Sequence, residues 1–399
     1  MGSSAVARPR SFSVLYPAVR IGVPREIAPR ETRVALVPET VARLKKSGLD
    51  VLVEPGAGAA ATHSDDAYRE AGAAIAPGSR DVWAEADVVL CVRAPRIDER
   101  LGVHQVDAMR EGAALIGFLR PSRHPGLLAK LEARRITAFS MDQVPRISRA
   151  QKMDALSSMS TVAGYKAVLL GAVSLGKFFP LFMTAAGTIP PAKVFVLGAG
   201  VAGLQAIATA RRLGAVVEAF DVRPAVREEV QSLGATFVSV ELTSESAVGA
   251  GGYAKEQSEE FHQRERDLLA RHVATADVVI TTAMIPGRPA PRLITEEMVQ
   301  RMRPGSVIVD LAAEEGGNCA LTKPGERTVA HGVAVLGPLD LVTEMPVHAS
   351  AMYSRNIAAL LLHLVHDGQL HLDFDDEVTR GSCVTHEGRP LEATAGQAT

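Results

Sequence analysis

The sequence predicts two doubly wound α/β domains with a cleft between them. Three observations carry that expectation. Short apolar runs alternate with segments of helical spacing along most of the chain, the pattern of a parallel sheet covered by helices on both faces. At 399 residues the chain is long for one hydrophobic core. A polar stretch, residues 141–160, interrupts the alternation where one domain would hand over to the next.

The elements follow in order. Residues 19–23 read as a first strand that leads into Pro24-Arg25-Glu26 and then the run from Arg30 to Pro38. A helix over 39–47 stops at Gly48, and 51–54 is the next strand. Segments 65–71, 88–92, 114–118, 127–133 and 136–140 continue the alternation. No glycine-rich turn of the nucleotide type occurs here, so this domain is not expected to hold phosphates. After the polar stretch, a long helix over 161–177 leads through Pro190-Pro191 to the most informative segment, 193–223.

That segment opens with a short, β-branched strand, Val194-Phe195-Val196-Leu197. Gly198-Ala199-Gly200-Val201-Ala202-Gly203 follows, then a helix over 204–213 and a second strand, 216–220, ending on Asp221. Strand, G-x-G-x-x-G, helix, strand and acid in this order are the fingerprint of a Rossmann dinucleotide-binding domain. Gly198 makes the tight turn, Gly200 admits the backbone to the pyrophosphate, and Gly203 packs the helix on the strand. The free N–H groups of the helix N-terminus meet the phosphates. Asp221 stands where a carboxylate accepts hydrogen bonds from ribose hydroxyls and repels a 2′-phosphate, which favours NAD over NADP. Arg223 is the counter-signal, and its place before Pro224 reads as a helix-start residue.

Beyond Asp221 come a helix over 225–233, a strand over 236–240 and a loop over 243–255. Gly249, Gly251 and Gly252 in that loop supply hinges beside Tyr253, the composition of a lid. A charged helix over 256–271 and strands 277–281 and 306–310 follow, with a helix over 295–302 between the strands. Ligands in such sheets sit outside the carboxyl ends of the strands, so 282–286 and 310–313 should line the crevice. Strands 328–330 and 333–337 complete the sheet. A helix over 349–366 is expected to cross back to the first domain, and 367–399 end in polar sequence. The predicted division is an extension at 1–18, a discontinuous first domain at 19–145 plus 346–399, and a nucleotide domain at 146–345.

Composition excludes other classes. With 47% hydrophobic and 22% charged residues the chain is globular, and a net charge of −2 gives no case for nucleic acid. Cys91, Cys319 and Cys383 are far apart, which indicates neither a disulfide framework nor a metal site. The best apolar stretch, 162–175, contains Lys166 and is shorter than the roughly 20 residues a membrane span needs. No direct membrane insertion is expected.

The chain resembles the NAD(H)-binding component of proton-translocating nicotinamide nucleotide transhydrogenase. The resemblance rests on 146–160 (RISRAQKMDALSSMS), 163–167 (AGYKA), the fingerprint through Ala235, 251–256 (GGYAKE), 284–291 (MIPGRPAP) and 309–319 (VDLAAEEGGNC), and it spans about residues 20–386. It implies that the polar loop orients the dihydronicotinamide through Arg146, Gln151, Asp154 and Ser157, and that Tyr253 belongs to a mobile loop. The nucleotide contacts expected are Gly198, Gly200, Val201, Ala202, Gly203, Asp221, Val222, Arg223, Thr282, Ala283, Leu311, Ala312 and Asn318. The family is dimeric and holds NAD in its cleft. NADP is held by a partner subunit, and membrane-spanning subunits tether the assembly to the cytoplasmic face of the membrane. One departure stands at Val342-Thr343-Glu344, where the family carries Pro-Ser-Arg; it bears on local, dimer or partner contacts.

Hydride transfer between two nicotinamides takes up no proton at either ring, so it needs positioning groups rather than a general acid or base. The nearest competitor is alanine dehydrogenase, which is similar over Pro24 to Pro38 and in architecture. Its substrate lysine and catalytic histidine align near Arg93 and Arg120, whereas Arg33 is common to both families. A non-catalytic NAD sensor is the third reading.

Overall fold

A computed structural model describes residues 19–239, 259–285 and 288–391. Six strands open the first sheet: β1 (Arg20–Val23), β2 (Asp50–Val53), β3 (Ala74–Ile75), β4 (Val88–Arg93), β5 (Ala114–Phe118) and β6 (Thr137–Ser140). The second sheet contains β7 (Lys193–Leu197), β8 (Val216–Phe220), β9 (Thr236–Val238), β10 (Val278–Thr281), β11 (Val307–Asp310), β12 (Arg327–Ala330) and β13 (Val333–Leu336). The chain then returns to the first sheet with β14 (Cys383–His386) and β15 (Arg389–Pro390).

The first sheet runs β15-β14-β6-β5-β4-β1-β2-β3 and is parallel from β6 to β3, with an antiparallel hairpin on one edge. The second runs β9-β8-β7-β10-β11-β13-β12, parallel apart from the β12–β13 hairpin. Both are therefore the doubly wound sheets the alternation predicts. Apolar strands fit this arrangement because both faces are covered: β4 and β10 are almost wholly buried. Strand order reverses between β7 and β10, which places the crevice of the second domain at their carboxyl ends.

Two long helices join the domains. Helix α1 (Ala155–Ser174) buries Ala155, Met159 and Val162 in the first core, and Ala167 and Val168 in the second. By length and composition it is apolar enough to cross a membrane, but its buried face is taken up by these two cores and Lys166 reaches Glu344 at 2.8 Å. Helix α2 (Val201–Arg212) follows the fingerprint turn and crosses α1 at Gly164, where a Cβ would stand 2.1 Å from the Ala202 carbonyl oxygen. Only glycine permits that approach. Helix α3 (Pro346–Leu364) starts on proline and packs into the first core through Tyr353, Ile357 and Leu360. Its Ser350 and Ser354 hydroxyls accept the backbone N–H groups of Val34 and Val37, at 3.1 and 3.0 Å.

Several boundaries differ from the sequence reading. Helix α1 begins at Ala155 rather than 161, because Asp154 caps it by accepting the Ser157 N–H at 2.8 Å. Residues 367–391, read as polar sequence, include a short helix (Glu377–Ser382) and β14, which pairs with β6. An antiparallel hairpin, Phe182–Thr184 with Gly187–Ile189, is exposed and has no counterpart in the sequence reading. The loop over 243–255, with Gly249, Gly251, Gly252 and Tyr253, lies outside the described residues, as do Pro286 and Gly287.

Candidate functional site

The glycine turn has the shape its sequence requires. Gly198 takes a left-handed φ of +96°, and a Cβ there would lie 2.5 Å from Thr282 Oγ1. A Cβ on Gly203 would lie 1.8 Å from the Gly198 carbonyl oxygen, so any side chain would force α2 away from β7. A Cβ on Gly200 would meet nothing within 4 Å. The backbone is thus tight behind the turn and open in front of it, which fits a pyrophosphate seated at the α2 N-terminus. Val201 is exposed there and Ala202 half-buried.

Asp221 is tied into the same turn. Its Oδ2 accepts the Ala199 N–H at 2.7 Å, and its two oxygens accept Arg223 Nε at 3.0 Å and Nη2 at 3.1 Å. Burial pulls this carboxyl upward, but the Arg223 side chain and the N–H groups of Arg223 and Ala199 outweigh burial and hold it below the usual carboxylate range. Arg223 does precede the short turn Pro224–Val226, as expected, yet its guanidinium also pairs with Asp221. Val222 beside it is exposed.

The second loop of the crevice corrects two expectations. Asp310 does not line it: its buried carboxylate accepts Thr281 Oγ1 (2.8 Å), Thr322 Oγ1 (2.6 Å) and the N–H groups of Ala312 and Cys319 (both 3.0 Å). Asn318 is fully buried as well. Its side chain accepts the Ala283 N–H at 3.1 Å and donates to the Ala283 and Pro291 carbonyls at 2.8 Å, so it shapes the Thr282–Ala283 corner from behind. Ala312 and Ala313 are buried too, which leaves Leu311 as the accessible residue of 310–313. Thr282 bonds the Gly198 carbonyl at 3.1 Å and links this loop to the glycine turn.

At the start of α1, Arg146, Gln151, Asp154 and Ser157 come together around one cavity of about 260 Å³, with Pro145, Ile147, Ser148 and Ala150. Asp154 accepts both the N–H and the hydroxyl of Ser157, the latter at 2.6 Å, so the pair is fixed by the helix cap. Arg146 and Gln151 are exposed at the rim.

A further cluster is one that sequence reasoning noticed only in pieces. Glu31 accepts Arg33 Nε at 2.7 Å, Arg33 Nη2 at 2.6 Å and Arg93 Nε at 2.6 Å. Burial raises its pKa, but the hydrogen bonds and charge of Arg33 and the charge of Arg93 leave it lowered. Arg93 continues to Asp340 of the second domain, and the Thr32 hydroxyl bonds the Thr343 carbonyl. The departure at Val342-Thr343-Glu344 therefore sits on an interdomain contact. Glu26, which accepts the Val92 and Arg93 N–H groups, has its carboxyl pushed up to about 7 by burial. The available signal was charge beside apolar sequence: Glu26, Glu31 and Arg33 flank Val34-Ala35-Leu36-Val37. Farther out, Arg120 and Arg123 cross to Glu314 and Glu315. Among the described residues no group of three His, Cys, Asp or Glu side chains is arranged to hold a metal ion.

Two α/β domains, a glycine turn closed by an acid and a polar second wall define a nicotinamide-dinucleotide-dependent oxidoreductase. The chain belongs to the alanine dehydrogenase/PNT family: the N-terminal domain model matches residues 22–163 and the C-terminal one 167–392. The two matches meet inside α1. Within the family it goes with the NAD(P) transhydrogenase alpha subunits. It is 47% identical over 373 residues to a Rhodospirillum rubrum protein named as the first part of NAD(P) transhydrogenase subunit alpha, covering 93% of this chain and 97% of that protein. A solved transhydrogenase from Sinorhizobium meliloti is 42% identical with a TM-score of 0.84, over 93% of this chain and all of that one. Alanine dehydrogenase of Bacillus subtilis (strain 168) is 33% identical over 302 residues, 74% of this chain and 71% of that protein.

Proposed function

We propose that this chain is the NAD(H)-binding subunit of a proton-translocating transhydrogenase, passing hydride from NADH to NADP⁺ held by a partner subunit. The observation that carries the reading is the convergence of Arg146, Gln151, Asp154 and Ser157 on one cavity at the start of α1, the helix that packs through Gly164 against the glycine-turn helix α2. In this reading the Gly198–Gly203 turn and α2 hold the pyrophosphate, Asp221 binds the ribose and selects NAD, and Thr282, Ala283 and Leu311 bound the crevice. Bound NADH supplies the hydride. The chain's own contribution is to hold one ring face and its carboxamide against a second ring, which requires fixed polar groups and no proton acceptor.

Partners follow from the same reading. The chain contains one fingerprint, so NADP has to arrive on another subunit. The Rhodospirillum rubrum relative, named as the first portion of an alpha subunit, implies that further portions complete it. Membrane-spanning subunits would hold this one peripherally at the cytoplasmic face. A homodimer is supported by exposed apolar side chains at and before the hairpin: Val173 is 87% exposed, Phe178 55%, Leu181 53% and Met183 79%.

The alanine dehydrogenase alternative requires free cations for a substrate carboxylate. Arg33 and Arg93 are committed to Glu31, and Arg120 pairs with Glu314. The test is direct. The isolated chain should show no alanine-dependent NAD⁺ reduction, and with an NADP-binding transhydrogenase domain it should transfer hydride from NADH in stopped-flow mixing. Alanine oxidation by the wild type defeats the proposal, and binding of NADH without any transfer favours the sensor reading.

A further inference from the structure

Asn356 is a polar residue in the apolar core face of α3, and it is 7% exposed. Its neighbours on that face, Tyr353, Ile357 and Leu360, are buried in the first core. A leucine of similar size would suit this place on hydrophobic grounds alone, since a buried amide is costly unless its hydrogen bonds are met. One is met: Nδ2 donates to the Lys152 carbonyl at 2.8 Å. The other is not, because Oδ1 is buried without a hydrogen-bond partner.

Lys152 lies in the short turn Ser148–Met153, which carries Gln151 and leads directly into Asp154. The same turn is gripped at a second point, where Arg149 pairs with Asp376. Asp376 is itself held in place: it caps the helix Glu377–Ser382 through the Thr379 N–H at 2.8 Å and receives His363 Nε2 at 2.9 Å. Gln151 thus sits between two anchors that come from the C-terminal return of the chain. The turn lines the cavity on one side and is fastened to the first core on the other.

We infer that Asn356 is a positioning residue for hydride transfer, fixing through the Lys152 carbonyl the turn that presents Gln151 and Asp154 to the cleft, with Asp376 as the second anchor. This rests on the transhydrogenase reading above. Asn356 touches neither the glycine turn nor Asp221, so NADH binding has no need of it. Ring positioning does, because a displacement of about 1 Å at a reacting pair costs on the order of a hundredfold in rate.

The test uses the full chain with an NADP⁺-loaded transhydrogenase partner domain, comparing wild type with Asn356→Leu, Asn356→Asp and Asp376→Asn. Asn356→Leu keeps the volume and loses the donor, and Asn356→Asp sets an acceptor against the carbonyl. Transfer should fall by about tenfold to a hundredfold for Asn356→Asp and somewhat less for Asn356→Leu, with NADH affinity within about twofold of wild type. Amide hydrogen exchange should rise over 148–154 and stay unchanged over 198–212. Asp376→Asn alters the His363 contact at the end of α3 but not the buried face that carries Asn356, so it should show the same split more weakly even if the Asn356 variants fold poorly. Rate and affinity falling together, or unchanged rate with unchanged exchange over 148–154, overturns the positioning role. Absence of transfer by the wild type overturns the transhydrogenase reading instead, and the positioning role falls with it.

Discussion

The two walls of the cleft are built on opposite principles. The glycine-turn wall is local: Gly198, Gly200, Gly203 and Asp221 lie within one βαβ unit, and its shape is set by that unit's own backbone and the Asp221 carboxylate. The polar wall is assembled from distant segments. Its polar turn is held by Asn356 and Asp376, and the cluster beneath it joins Glu31, Arg93 and Asp340 from three regions of the chain. A local wall keeps its shape as long as its own turn folds. An assembled wall is sensitive to charge and to anchors far from its cavity.

The sharpest break of that contrast lies within the glycine turn. Gly203→Val should cost about 3 kcal/mol or more of stability and abolish measurable NADH binding, because its Cβ meets the Gly198 carbonyl oxygen. Gly200→Ala has open space for its methyl group. It should keep stability within about 0.5 kcal/mol of wild type while weakening NADH, since the methyl occupies the phosphates' approach. Urea unfolding beside a fluorescence titration separates the two. Equal stability losses would mean that the turn is not divided into a packed back and an open front.

On the assembled wall the corresponding weakness is pH. The Glu26 carboxyl is raised from 4.5 to about 7 in the folded protein. The folded state therefore holds a proton that the unfolded state releases between those values, so this site's stability is full below pH 4.5 and is lost as pH rises to about 7. The loss amounts to about 3 kcal/mol and is constant at higher pH. Glu26→Gln removes the titrating group at the cost of one of its two N–H acceptors, so the difference in stability between the two proteins should shift by about that amount in the variant's favour between pH 4.5 and neutrality. Chemical unfolding of both proteins across this range measures the gap. A pH-independent gap would remove Glu26 from the account.

This difference between the walls also explains what was legible in the sequence. The fingerprint could be read because residues 193–223 are contiguous and each glycine has its own steric reason. The polar loop stood out by its density of side-chain donors, but the helix inside it did not: Ser157, Ser158 and Ser160 hide the apolar period that Ala155, Met159 and Val162 carry into the core. Asp310 sits at a strand end, where crevice residues belong, and only its four buried donors show that it faces inward. Strand β14 is four residues long and pairs with β6, more than two hundred positions earlier, so no local pattern announced it. Long-range anchors such as Asn356 leave no mark beyond a polar residue in an apolar helix.

Within the polar loop, Gln151→Ala should slow hydride transfer by about a hundredfold and leave NADH affinity within about threefold. Gln151 is exposed on the cavity rim and its side chain anchors no described backbone group, so the loss should fall on the reaction and not on folding. Single-turnover rates with an NADP⁺-loaded partner, set beside the same titration, measure it. Equal losses in both would make the loop one more piece of the binding surface and erase the distinction between the walls.

The smallest effect tests the acid on the glycine-turn wall. Asp221 serves the turn through the Ala199 N–H, pairs with Arg223, and is the acid expected to receive the ribose hydroxyls. Asp221→Asn keeps an acceptor for Ala199 but removes the charge. A hydrogen bond to a charged group is worth about 1.5 to 3 kcal/mol, and the exposed Arg223 pair adds little, so NADH affinity should fall by about tenfold. The same change frees Arg223, whose guanidinium then faces the place a 2′-phosphate would occupy. NADPH should accordingly bind severalfold better than it does to wild type, and the preference for NADH should shrink from both sides. Fluorescence titration of the two nucleotides against both proteins provides the four affinities. If wild type binds NADPH as well as NADH, Asp221 does not select the nucleotide, and recognition on this wall belongs to the backbone alone.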